Sequence, residues 1–355
     1  MHKNLTVACA ILALATLALG CERLLVGALE RGLRSNLANA TQLSDYDDDA
    51  LHVFLIGTGS PLPDPERASA CTAVIAGPHF ILVDTGPGSV ENLALFNLPR
   101  GEVSGVLLTH FHSDHIGDLD EAIFQTWAAG GRGQPLPVYG PPGVEQVVDG
   151  YSRAYAIDTS YRTAHHGADV MPPSGGTATA HTVELPAPGE ASVVFERDGL
   201  RISMFAVDHE PVAPAVGYRF DYRGRSVVIS GDTARSPSLV ANAQGVDLLV
   251  HEALAGHLVT LLSRVVGEAG QPRLSKIMTD VLDYHTTPEE AKAIADETGA
   301  TLLVLTHNVP PLRNALIERL YVRGVDMEAV VVGDDGMHFR LPAGSHAIEQ
   351  QEIGG

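Results

Sequence analysis

Thr109-His110-Phe111-His112-Ser113-Asp114-His115 sets three histidines and an aspartate within six residues, directly after the apolar, strand-like Gly105-Val106-Leu107-Leu108. Imidazole and carboxylate are the groups that Zn²⁺ and similar ions prefer as ligands. Alternation along an extended strand end points His110 and His112 the same way, so both can hold one ion, while Asp114 and His115 serve a second. An apolar strand that hands such a run to the loop after it is how a layered α/β fold builds a site.

Three further strand-like segments finish in residues of the same chemistry. His209 follows Ile202-Ser203-Met204-Phe205-Ala206-Val207-Asp208, and His307 ends Thr301-Leu302-Leu303-Val304-Leu305-Thr306. Asp232 ends Ser226-Val227-Val228-Ile229-Ser230-Gly231, where its carboxylate can bridge two ions. Any one of these alone is more often a structural residue. Four separate strands that each finish in a metal-ligand residue point instead to one site.

With these residues in place the chain resembles the metallo-β-lactamase fold superfamily, and within it the ribonuclease Z-like branch that also holds arylsulfatases and phosphodiesterases. The resemblance runs from about Leu51 to about Leu341. It rests on Gly57-Thr58-Gly59-Ser60, Leu82-Val83-Asp84-Thr85-Gly86, the histidine-rich run, Val216-Gly217-Tyr218-Arg219, Ser230-Gly231-Asp232-Thr233, His251-Glu252-Ala253, His285-Thr286-Thr287 and Leu305-Thr306-His307, in the family's order. The fold it implies is of the α/β class, a four-layer αβ/βα sandwich. It implies two Zn²⁺, other divalent transition metals also being compatible, one held by His110, His112 and His209, the second by Asp114, His115 and His307, with Asp232 bridging. A hydroxide shared by two such ions is a nucleophile near neutral pH, because coordination lowers the pKa of water from about 15.7 to about 7.

Two catalytic roles follow from the same resemblance: Asp114 orients or deprotonates the hydroxide, and His251 sits where the branch places a proton donor for the leaving group. His285 and Thr286 add an anion-binding expectation. Thr287, Pro288 and Glu290 read as N-cap, first helical residue and capping-box partner of a helix through Ala295. Between His115 and His209, Asp118–Ala129 reads as a helix and Leu136–Gly143 as a strand and turn. Residues 151–184 read as a long segment with little regular structure, from which Tyr161, Arg162, His165 and His166 reach substrate, Arg162 being suited to an oxyanion.

The N-terminus carries a different signal. Met1, His2 and Lys3 precede an apolar stretch from Leu5 to Leu19, long enough for a signal-peptide core and short for a membrane span. It ends in Leu17-Ala18-Leu19-Gly20-Cys21, which resembles a bacterial lipobox with Ala18 and Leu19 in exchanged order. Residues 1–20 are thus expected to be a signal peptide of lipoprotein type, with Cys21 lipidated. Only Cys71 would then remain unlipidated in the mature protein, so it could form no internal disulfide. Leu25, Leu29, Leu33 and Leu37 make one helical stripe in a tether that runs into the acidic Asp45–Asp49 linker. The division expected is 21–50 tether and linker, 51–341 hydrolase domain and 342–355 tail.

The formal charge of −20 makes the surface as a whole repel polyanions. Two local features agree: Pro63-Asp64-Pro65-Glu66-Arg67-Ala68 departs from the Pro-x-Lys-x-Arg-Asn loop of enzymes that cut tRNA precursors, and the interval from His209 to Asp232 holds only a short hairpin turning at Arg223-Gly224. The function expected from sequence is therefore an exported dinuclear zinc hydrolase of small anionic esters, a phosphodiester or aryl sulfate. It would lie on the periplasmic side of a bacterial membrane, held by an N-terminal lipid anchor, with no nucleic acid partner and with a homodimer allowed. The alternatives are a lactonase or β-lactamase on the same centre, a tRNA 3′ processing endonuclease, and a noncatalytic envelope binding module.

Overall fold

β1 (Ala50–Gly57) is buried along its whole length. Leu51, Val53 and Leu55 enter one apolar layer while Phe54 and Ile56 enter another, so both faces of the strand are covered by protein. The computed structural model describes residues 24–35 and 37–353. In it β1 joins β2 (Cys71–Ala76), β3 (His79–Val83), β4 (Gly105–Leu107), β5 (Leu136–Gly140), β6 (Ala178–Thr182), β14 (Met337–Pro342) and β15 (Glu349–Glu352). These form one sheet in the order β15-β14-β1-β2-β3-β4-β5-β6, antiparallel as far as β3 and parallel from β3 to β6.

The second sheet holds β7 (Ser192–Arg197), β8 (Leu200–Ala206), β9 (Val216–Tyr222), β10 (Arg225–Ile229), β11 (Leu248–Leu254), β12 (Leu302–Val309) and β13 (Val330–Val332). Its order is β13-β12-β11-β10-β9-β8-β7. The inward faces of the two sheets share one core, in which Val53, Val74, Ile81 and Phe339 meet Met204, Tyr218, Val227 and Val250. Helices cover the outer faces. On the first sheet lie α2 (Ser89–Leu95), α4 (Leu119–Ala128) and α5 (Val144–Ala154), which bury Leu93, Ile123 and Val148. On the second lie α7 (Pro237–Asn242), α10 (Pro288–Thr298) and α11 (Ala315–Tyr321), which bury Leu239, Ile294 and Tyr321. The architecture is the four-layer α/β sandwich.

Four more α-helices, all after residue 41, lie outside those layers. The one-turn α3 (Ser113–Ile116) carries Asp114 and His115, and α6 (Ala156–His166) follows α5 directly. α8 (Gly256–Glu268) and α9 (Pro272–Asp280) form a hairpin tied where Ser263 Oγ donates to Ser275 O at 2.8 Å. Residues 24–35 form α1, on which Leu25, Leu29 and Leu33 are exposed. The chain divides after Thr41 into two compact units, and both sheets belong to the second, Gln42–Gly355. Residues 151–184, expected to hold little regular structure, contain the end of α5, all of α6 and β6, and β15 falls within 342–355. Among the described residues no helix is long and apolar enough to cross a membrane. Residues 1–20 and Cys21 lie outside the described residues.

Candidate metal centre

The histidine-rich run leaves β4 at its C-terminal end and turns into α3, which puts His110 and His112 before the helix and Asp114 and His115 within it. His209 follows β8, and Asp232 follows β10. Gly231 between Ser230 and Asp232 has φ +62°, and a Cβ there would lie 2.7 Å from Val216 O and 2.9 Å from Thr109 Cβ, so only glycine allows the turn that delivers Asp232. His307 sits inside β12 at φ +47°. The register against β11 slips at that point, Thr306 facing Glu252 and Asn308 facing Ala253, so His307 is the extra residue of a bulge that re-aims its side chain.

These seven residues converge. Asp232 Oδ2 lies 3.3 Å from His115 Nε2, 3.5 Å from His307 Nε2, 3.8 Å from His110 Nε2 and 3.9 Å from His209 Nε2. Asp114 Oδ2 lies 3.1 Å from His307 Nε2 and 3.6 Å from His115 Nε2. His110, His112, His209 and Asp232 make one group of potential ligand atoms within 4.8 Å of one another, and Asp114, His115 and His307 make a second. All but His112 are buried.

A shell of hydrogen bonds fixes which ring nitrogen faces inward. His209 Nδ1 donates to Tyr284 O at 2.9 Å. Asp84, in the left-handed region at φ +61°, accepts from His115 Nδ1 at 2.8 Å and from Thr109 Oγ1 at 2.7 Å, and Thr109 Oγ1 in turn accepts from His110 Nδ1 at 3.1 Å. One carboxylate thus orients two imidazoles, directly and through a hydroxyl. The atoms left over are telling: His115 Nε2, His209 Nε2 and Asp232 Oδ1 are buried with no hydrogen-bond partner. Buried polar atoms without partners are costly, and so many at one point fit a cation that accepts their lone pairs.

At three of the histidines charge agrees with that use. Burial pushes the pKa of His110 well below its ordinary value, and lowers those of His112 and His209, which keeps the rings neutral as ligation requires. Burial raises the Asp232 carboxyl, but the surrounding His307 and His115 outweigh it and hold the group well below the usual carboxylate range. Burial likewise opposes charge on His115, yet Asp232 and Asp84 overcome it and raise its pKa. The donor set is that of a divalent metal centre.

The structure separates the remaining expected residues. His285 reaches the centre: it forms a possible ligand group with Asp232 and His307, and its ring lies 5.2 Å from that of His209. Its Nδ1 donates to Glu252 Oε1 at 2.9 Å, and although burial works against it, Glu252 brings its pKa up to about 9. His251 does not join the group. It is fully buried in β11, its Nδ1 donates to Glu252 O at 2.7 Å, and burial lowers its pKa. Thr286 is also fully buried, its N–H donating to Glu252 Oε1 and its hydroxyl to Thr233 O, so it has no donor left for an anion. Arg162 pairs with Asp158 at 2.6 Å and stacks over Phe124, and His166 is exposed at the end of α6. Asp84 and Glu252, the two carboxylates that orient the histidines, were legible only as members of the family-like strand ends.

Residues 79–308 match the model of the β-lactamase superfamily domain. The chain belongs to the metallo-β-lactamase superfamily and, through its relatives, to the ribonuclease Z branch; it is a metal-dependent hydrolase. It is 38% identical over 264 residues to Ribonuclease Z of Mycobacterium bovis, covering 74% of this chain and 87% of that protein. Against Ribonuclease Z of Mycobacterium avium the identity is 39% over 264 residues, with the same coverage. Among solved structures, the short form of human tRNase Z superposes with a TM-score of 0.60 at 21% identity, over 82% of this chain and 99% of that one. A diphosphatase of the PhnP family does so with 0.55 at 19%, over 81% and 96%. At these identities the two structures establish the fold.

The relatives correct the expectation of an exported hydrolase of small anionic esters with no nucleic acid partner, since they are named for a ribonuclease. The expectation failed because it weighed a whole-chain charge of −20. A site holding divalent cations carries its own positive charge where a phosphate binds, whatever the rest of the surface carries. Two altered loops are also outweighed by identity across 264 residues. The relatives likewise give no support to an aryl sulfate substrate, a lipid anchor at Cys21 or a periplasmic placement.

Proposed function

We propose that the chain is a metal-dependent endoribonuclease of the ribonuclease Z kind, cutting a phosphodiester bond in a tRNA precursor. The observation that supports this most is the seven-residue His/Asp centre in a chain 38% identical over 264 residues to a protein of that name. We assign one Zn²⁺ to His110, His112 and His209 and a second to Asp114, His115 and His307, with Asp232 between them. When bound, two such ions supply an activated water and offset the charge that gathers on the phosphoryl oxygens.

The chain's own groups do the rest. Asp84 and Tyr284 O hold the ligand rings in one tautomer, so no reorientation is needed on binding. Asp114, with one oxygen 3.1 Å from His307 Nε2, is placed to accept a proton from the attacking water. His285 takes the role expected for His251. With Nδ1–H committed to Glu252, it can hold a proton at Nε2 and pass it to the departing ribose oxygen, and Glu252 stabilises the charged ring until it does.

Metal-loaded protein incubated with a tRNA precursor bearing a 3′ trailer is expected to give one endonucleolytic cut, and Asp232→Ala to abolish it. A fully metallated, folded protein that leaves the precursor intact would contradict the reading.

A further inference from the structure

Beside the metal centre lies a cavity of about 180 Å³ between the α8–α9 hairpin and the segment after β1. Its walls come from Leu62, Val259, Leu262, Leu274, Ile277 and Met278, and His285 and His307 also line it. The apolar wall continues into a packed cluster of Leu254, Val259 and Val309, so the cavity is built into the fold rather than left between loose side chains. Ser60 lines it too, and Ser60 Oγ is buried with no hydrogen-bond partner.

The chemistry of the occupant follows from these surfaces. A nucleobase carries donors and acceptors along its edges, and apolar walls would leave them unpaired. An aliphatic chain has no such groups. A cavity of roughly 150 Å³ lined by Leu, Ile and Phe accepts a six-carbon hydrocarbon ring, so this one accommodates a chain of about six to eight carbons. The unpaired Ser60 hydroxyl and the adjoining histidines call for an oxygen-bearing head at one end of that chain.

We propose that the cavity binds a straight-chain aliphatic carboxylate, the tail among the α8–α9 side chains and the head group at Ser60 and the edge of the metal centre. The site rests on the metal-centre reading for its polar end and on the cavity alone for its tail. A ligand held there meets His285 and His307, which line the same cavity.

The test is calorimetric titration of the metal-loaded protein with acetate, butanoate, hexanoate, octanoate and decanoate. Affinity is expected to rise about fourfold per added methylene and to level off once the tail fills the cavity at about six to eight carbons. Ile277→Asp, at a half-exposed position of the wall, should flatten the series while leaving acetate binding unchanged. Affinity independent of chain length in the unmodified protein would overturn the proposal, as would an unaltered series in the folded Ile277→Asp protein. Because binding is read directly, a protein that fails to cut tRNA precursor can still show the chain-length series, which keeps the two readings separable.

Discussion

Asp84 has no atom in the proposed ligand set, yet three donors converge on its carboxylate: the Thr109 backbone N–H at 2.8 Å, the Thr109 hydroxyl and His115 Nδ1. Removing its charge while keeping its shape should loosen two ligand rings at once. Asp84→Asn is expected to weaken metal affinity by about 10- to 100-fold, read by competition with a chromophoric chelator, with little change in the folded circular dichroism spectrum. Unchanged affinity would mean that the rings are held by packing alone. His285 and His251 are told apart by a leaving-group series: His285→Ala should slow substrates with basic leaving groups far more than activated ones, whereas His251→Ala should slow both equally or act only through stability. The reverse pattern would restore His251 as the proton donor. All seven converging residues stood out in the sequence as candidate ligands, but the facing of His251 was not legible, because a strand buried on both faces has no polar alternation to show which side a residue takes.

Among the elements, α10 was legible to the residue at its start, since Thr287 and Glu290 form the reciprocal capping box and Pro288 opens the helix, whereas its end lies at Thr298, three residues beyond the expected Ala295. α6 was not, because it buries no residue and its larger apolar side chains, Ile157 and Tyr161, stay exposed. β15 escaped for a similar reason: Glu349–Glu352 is exposed throughout, an edge strand of polar residues. Its pairing with β14 nevertheless completes a directed chain, in which Gln351 Nε2 donates to His338 Nδ1 at 2.6 Å, His338 Nε2 to His52 Nδ1 at 3.0 Å, and His52 Nε2 to Asp48 at 2.9 Å. Burial, reinforced by the neighbouring His52, brings the pKa of His338 down to about 3. The unfolded chain, with an ordinary histidine near 6.5, takes up that proton first, so the stability tied to neutral His338 is complete above about pH 6.5 and is lost as pH falls toward 3. In denaturant titrations at pH 8 and pH 5, the chain should lose about 2 kcal/mol more than a His338→Gln variant. A difference between the two proteins that does not change with pH would contradict this.

At the scale of the whole molecule, the order of strand-end ligands carried the α/β sandwich and the metal site, whereas substrate class lay beyond the reach of net charge and of two short loops. For a polyanionic substrate the immediate surroundings of the site would matter more than net charge, because cations held there would dominate the local field. The most direct measurement is cleavage of a tRNA precursor followed while chelated, metal-free protein is titrated with Zn²⁺. Cleavage is expected to be absent at the start, to rise with added metal and to reach its plateau near two equivalents per chain, with Asp232→Ala silent throughout. Undiminished cleavage by the metal-free protein, or none at any metal loading, would contradict a metal-dependent ribonuclease.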